Sequence, residues 1–232
     1  MLASELYDAF RSDVVDIAKP YLWSDDEVWR YMNDAYRMFV RFTGGIPDST
    51  SALTQVPIVA NQATSEVSPL ILKYRTAVLQ SNGRFLTILS DVEEPRFNSV
   101  DYNNFRAGMR DNTPGIVQYM MTGIDRNARR GLVRWVRIPQ YDDTCQLNVY
   151  RLPLDTITEN TPDFDLYEIG EEHHEHLLLW MKHRAYGKQD AETFDRGRSD
   201  SYLMAFKSYC DTAQAEWNRY KHQNNAIAYG GI

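Results

Sequence analysis

The spacing of hydrophobic positions changes twice along the chain. From Ala3 to Ala18, Leu6, Phe10, Val14 and Ile17 recur at three- and four-residue steps, which predicts a helix that Pro20 ends. "WSDDEVWRYMNDAYRMFVRFTGG" then gives the clearest helical pattern. Val28, Met32, Ala35, Phe39 and Phe42 form one apolar stripe, widened by Trp29, Tyr36 and Val40. Ser24 is the expected N-cap, and Glu27 three residues on completes a capping box. Asp25 and Asp26 favour the positive end of the helix dipole. Gly44 and Gly45 supply the left-handed stop, and Pro47 prevents continuation.

Residues 51–164 follow a different rule. "ILKYRTAVLQSNGRFLTILS" holds Asn82-Gly83 between two β-rich runs, a strong hairpin signal. "LTQVPIVANQATSEVSP", "GIVQYMMTG", "GLVRWVRIP" and "CQLNVYRLP" are further strand candidates. In "LVRWVRI", strict alternation puts Val133, Trp135 and Arg137 on one face and Leu132, Arg134, Val136 and Ile138 on the other. "FNSVDYNNFRAGMRDN" reads as a short helix or an ordered loop. The many short strands suggest a small sandwich or barrel.

Helix returns at the end. "DFDLYEIGEEHHEHLLLWMKHRAYGKQ" reads as one long helix or as a short turn feeding one. In the next segment Tyr202, Phe206, Tyr209, Ala213 and Trp217 keep the helical step. The expected fold is α+β: a helical bundle made by the N- and C-terminal helices (1–50 and 165–222), with a small antiparallel β module (51–164) inserted. Residues 223–232 form a flexible tail.

Composition adds limits. The chain of 232 residues is 43% hydrophobic and 25% charged, with a net charge of -7. That balance argues against a free-standing nucleic-acid binder. Cys145 and Cys210 are too few and too far apart for a disulfide framework and read as free thiols. The N-terminus lacks a basic segment followed by an apolar core, and no apolar run approaches the ~18 residues that cross a bilayer. The protein is therefore expected in the cytoplasm when made, with no membrane association. The 15 Tyr, 9 Phe and 5 Trp suit large contacts between chains as well as a core.

The densest chemistry lies in Glu171–His176, "EEHHEH". Two histidines with a glutamate on one helix face can bind zinc, and a metal-dependent hydrolase is one reading. His183, His222 and the cysteines stand apart, however, so no second cluster completes a site. The alternative is structural: acids open a helix, and Leu177, Leu178, Trp180 and Met181 then surround it with apolar surface. Such a helix is buried on more than one side, and Leu177, Leu178, Trp180 and Met181, with Trp29 and Tyr36, are candidates for a subunit interface. Arg126, Arg129, Arg130 and Arg134 form the one basic patch and are charged docking candidates. No phosphate-binding glycine loop and no nucleophile elbow occurs, and no cofactor is implied.

The layout resembles the head–tail adaptor (connector) proteins of tailed bacteriophages. "LWSDDEVWRYMNDAYRMFVRFTGGIPD" is similar to their opening, in which a "W-[ST]-D-x-E-[LIV]-x-x-Y-x-N-[DE]-A" helix follows a short first one. The stretch from "LNVYRLP" through "HEHLLLWMKHRAY" to "YLMAFKSY" looks like the matching close. The resemblance implies a structural virion protein rather than an enzyme, found in the host cytoplasm before assembly and at the head–tail junction afterwards. It implies a ring, commonly of twelve copies, between the portal protein and a tail or nozzle protein. DNA would cross its channel without sequence-specific binding. The C-terminal tail, with Asn225, Ile227, Tyr229 and Ile232, would run along the portal. A binding module that stays monomeric is the remaining alternative.

Overall fold

The N-terminal amphipathic stretch forms α1 (Ala3–Asp13), five residues shorter than its hydrophobic pattern predicts. Ala3, Leu6 and Phe10 are fully buried. The helix stops because Asp16 turns inward beneath it: the Asp16 N–H donates to Arg11 O at 3.0 Å, and the Asp16 carboxylate pairs with buried Arg11. That reversal puts Val15 at φ 57, a conformation that costs a β-branched residue about 1–2 kcal/mol. Ile17, expected on the buried stripe, is 70% exposed as a result.

The structure is a computed structural model and describes residues 1–90, 114–123, 131–189 and 192–222. Among these the chain is mixed α+β, with four α-helices and ten strands. It divides into two compact units, Met1–Ile46 with Leu152–Ile232, and Pro47–Arg151.

In the helical unit, α2 (Asp25–Phe42) has the predicted capping box: Ser24 Oγ accepts from Glu27 N–H, and Ser24 N–H donates to Glu27 Oε2 at 3.1 Å. Gly44 and Gly45 take φ 94 and 96 and end it. Val28, Met32, Ala35, Tyr36, Phe39 and Val40 are buried, whereas Phe42 is partly exposed. A 3-10 turn at Glu171–His173 feeds α3 (Leu177–Tyr186), so the second of the two readings of that segment holds. The long α4 (Arg196–His222) follows. Residues 152–164, expected with the β module, pack in this unit instead. Ala3 N–H donates to Phe164 O at 2.9 Å, and Ile157 N–H to Asn33 Oδ1 at 3.2 Å.

In the β unit, the strands are β1 (Ile46–Asp48), β2 (Gln55–Ile58), β3 (Thr64–Glu66), β4 (Ile71–Leu79), β5 (Phe85–Ser90), β6 (Pro114–Gly115), β7 (Tyr119–Thr122), β8 (Leu132–Val136), β9 (Ile138–Pro139) and β10 (Asp143–Arg151). The main sheet runs β1-β10-β4-β5-β7-β8-β3, with β2 also on β10. Inward residues alternate along the strands, as in Cys145, Leu147 and Val149, and surround Trp135, whose Nε1–H donates to Ser65 Oγ at 2.9 Å. Asn82 and Gly83 (φ 67) turn the β4–β5 hairpin. The expectation of an antiparallel module needs correction, because β5 pairs with β7, and β6 with β9, in parallel. More than twenty residues of sequence separate β5 from β7, long enough for a crossover connection. The alternation predicted for "LVRWVRI" also breaks: Arg137 takes φ 61, lies exposed, and ends β8, while Val136 is buried beside Trp135.

Candidate interaction site

Helix α3 is apolar on most of its circumference because three helices of its own chain cover it: α1, α2 and α4. Leu177 and Met181 are fully buried, and Leu178 and Trp180 nearly so. Trp180 lies beside Phe206 (5.2 Å between ring centres) and Phe42 (6.4 Å), and its Nε1–H donates to Asp34 Oδ2 at 2.9 Å. Tyr36 is also fully buried, and half-buried Trp29 stacks on Tyr7 at 5.1 Å. The side chains that the pattern marks for contact between copies are therefore used within one copy. An apolar surface shows in sequence, but what covers it does not.

The Glu171–His176 cluster is a structural knot. The Tyr209 hydroxyl donates to Glu172 O at 3.0 Å and accepts from His173 Nδ1–H at 2.8 Å. Buried His174 donates from Nε2 to Leu166 O at 3.0 Å. His176 stacks face to face on Tyr209, with ring centres 3.4 Å apart. Burial lowers the His173 pKa against the opposing pull of Glu172, and burial raises that of Tyr209. The three imidazoles are thus held by protein partners, His173 and His176 by Tyr209 and His174 by the Leu166 carbonyl. Among the described residues no group of three His, Cys, Asp or Glu side chains converges as a metal ligand set. Cys145 and Cys210 are buried and free, their thiols pushed up to about 12 by burial.

Arg11 organises the loop between α1 and α2. It is 5% exposed, pairs with Asp16, and donates to Trp23 O at 2.7 Å and Asp25 Oδ1 at 2.7 Å. Tyr21 covers it, with the guanidinium 4.0 Å from the ring centre. Asp16 also accepts from Leu22 N–H at 2.9 Å and Trp23 N–H at 3.3 Å. The Tyr7 hydroxyl donates to Asp25, and its pKa is pushed up to about 12, first by burial and then by that bond. This network shapes the loop, with Val15 (78% exposed), Ile17 and Leu22 (46%) facing outward. The sequence pattern missed it, because an arginine directly after a buried Phe10 reads as surface. The acids that follow it within fifteen residues, Asp16 and Asp25 among them, are the signal that could have flagged a buried cation.

In the β unit a second buried pair joins Arg151 to Asp48. Burial alone would raise the Asp48 pKa, but its bonds from the Ser51 hydroxyl, Arg151 and the Ser51 and Thr50 N–H groups hold it well below the usual carboxylate range. Arg134, on β8, is half-buried. Arg126, Arg129 and Arg130 lie outside the described residues, as do Asn225, Ile227, Tyr229 and Ile232. An open cleft of about 480 Å³ lined by Arg30, Arg184 and Lys188 is largely neutralised, since Lys188 pairs with Glu27 at 2.9 Å and Arg184 with Asp34 at 3.4 Å.

The buried stripe of α4 runs Phe206, Cys210, Ala213. The same stripe continues into Trp217, 39% exposed, and Tyr220, 72% exposed, which stack with ring centres 6.4 Å apart. Every residue from 215 to 220 is exposed. No helix among the described residues is long and apolar enough to cross a membrane.

Comparison with known proteins adds one finding. A family model described as "SU10 adaptor protein" matches residues 1–226, and no curated protein matches the chain.

Proposed function

Since the chain belongs to the SU10 adaptor protein family, we propose that it is a structural virion protein of a tailed bacteriophage, forming a ring that joins the portal to the tail around the DNA channel. The match over residues 1–226 is the observation that carries this reading. The helical unit acts as the bundle that builds the ring. The β unit faces a neighbouring copy or the tail. Residues 223–232 attach to the portal, and Arg126, Arg129, Arg130 and Arg134 offer positive charge to an acidic partner surface. The net charge of -7 supports a channel that lets DNA pass without gripping it, since attraction to phosphates would slow transit.

The hydrolase reading is not retained, because His173 and His174 hydrogen-bond to Tyr209 and Leu166 while His176 stacks on Tyr209. The test is electron microscopy of the protein mixed with its portal. A ring of density added beneath the portal is expected. A portal that remains bare at saturating protein would overturn the proposal.

A further inference from the structure

Two features of the helical unit are not explained by the packing of one chain. The first is the α1–α2 loop. A soluble protein ordinarily lets such a loop relax with polar residues outward. Here Arg11 and Asp16 hold Val15 in a strained left-handed conformation, and Val15, Ile17 and Leu22 point at solvent. The second is the far end of α4, where the stripe that packs inward at Phe206 and Cys210 runs on into exposed Tyr220.

The two patches lie at opposite ends of α2. Trp23 and Ser24 join the loop directly to the N-terminus of α2. Gln214 lies beside Gly44, just past the C-terminus of α2: a Cβ on Gly44 would sit 3.6 Å from the Gln214 side chain. The 18 residues of α2 span about 27 Å. One patch is aliphatic and the other aromatic. Two unlike patches at opposite ends suit a head-to-tail contact, in which each copy offers one to each neighbour, better than a two-fold contact that uses a single patch twice.

The charges agree. The only exposed charge in residues 15–22 is the cation Lys19, because Asp16 is buried. Glu216 sits one turn before Tyr220, about 40° from it around the helix, whereas Arg219 is about 100° away.

We propose that neighbouring copies of this chain meet head to tail, the α1–α2 loop of one (Val15, Ile17, Leu22) docking on the last turns of α4 of the next (Trp217, Tyr220). The inference deepens the ring reading and rests on it. Five partly exposed side chains fall well short of the ~1,200 Å² at which pairwise contacts become stable, so the contact is weak and forms in solution at millimolar protein.

The test uses the full chain and two variants, Ile17→Asp and Tyr220→Asp, each at a solvent-exposed position and each checked for unchanged circular dichroism and melting. Analytical ultracentrifugation at millimolar protein is the readout. Wild type is expected to form oligomers larger than a dimer, and each variant alone to stay monomeric. An equimolar mixture should give dimers and nothing larger, because the intact α4 end of the first variant fits the intact loop of the second. A mixture that stays monomeric, or single variants that assemble like wild type, would overturn the proposal. So would a monomeric wild type, and the portal-bound ring seen by microscopy then tells whether the ring reading fails with it.

Discussion

Replacing Asp16 by asparagine tests the network that shapes the α1–α2 loop. The change keeps the size of the side chain and an acceptor for Leu22 N–H, and removes one charge. Arg11 and Asp16 are 6% and 2% exposed at their side chains, so the variant strands a cation away from water. Breaking a buried pair by removing one partner costs about 3–5 kcal/mol. Arg11 keeps Asp25 and the carbonyl of Trp23, which points to the lower end, ~3 kcal/mol. The melting temperature of the helical unit should fall by roughly 10 °C. Urea unfolding followed by tryptophan fluorescence reads mainly this unit, because four of the five tryptophans (Trp23, Trp29, Trp180 and Trp217) belong to it. Adding Arg11→Met removes the stranded charge, so the double variant should be more stable than the sum of the two single losses predicts, by at least ~1 kcal/mol. Strict additivity, or a loss below ~1 kcal/mol for Asp16→Asn, would refute the reasoning.

Trp180→Ala should cost about 3–5 kcal/mol in the same assay, as for a buried large aromatic, and a loss under ~1 kcal/mol would mean that its packing on Phe42 and Phe206 counts for little. Val15→Gly should stabilise the chain by ~0.5–1 kcal/mol, because glycine accepts φ 57 without a Cβ clash; a lower melting temperature would show that Val15 is not strained. Asp48 is held below the usual carboxylate range, so its contribution is complete above the unfolded carboxyl value of ~3.9 and is lost as pH falls through the folded one. Acid unfolding of the β unit, read from amide hydrogen exchange along β4 and β10, should therefore steepen below about pH 4, and Asp48→Asn should flatten that dependence at the cost of stability at neutral pH. Deleting the residues beyond Gln223 should leave the helical unit folded and weaken portal attachment, and undiminished binding of the truncated chain would remove the role proposed for the tail.

Helix α2 was legible except for partly exposed Phe42, because its start, stripe and stop are local: Ser24 with Glu27, the four-residue step from Val28 to Met32, and Gly44-Gly45. The β4–β5 hairpin was legible for the same reason. The end of α1 was not. Nothing near Asp13 breaks a helix, and the chain turns only because Asp16 finds Arg11 in three dimensions. Ile17 was therefore assigned to the core when it faces water. The parallel pairing of β5 with β7 was equally hidden, since period and turn residues reveal strands but not distant partners. For α3 the extent of burial could be read from composition, but the identity of its neighbours depended on where α1, α2 and α4 lie.

The strand by which the chain enters the β unit lies next to the strand by which it leaves, and the Arg151–Asp48 pair clasps the two together. The hundred or so residues between Asp48 and Arg151 therefore begin and finish side by side. A few glycines would close that gap, and so would another domain whose ends lie equally close. Adjacent ends let the segment between them change in length or content without moving either end.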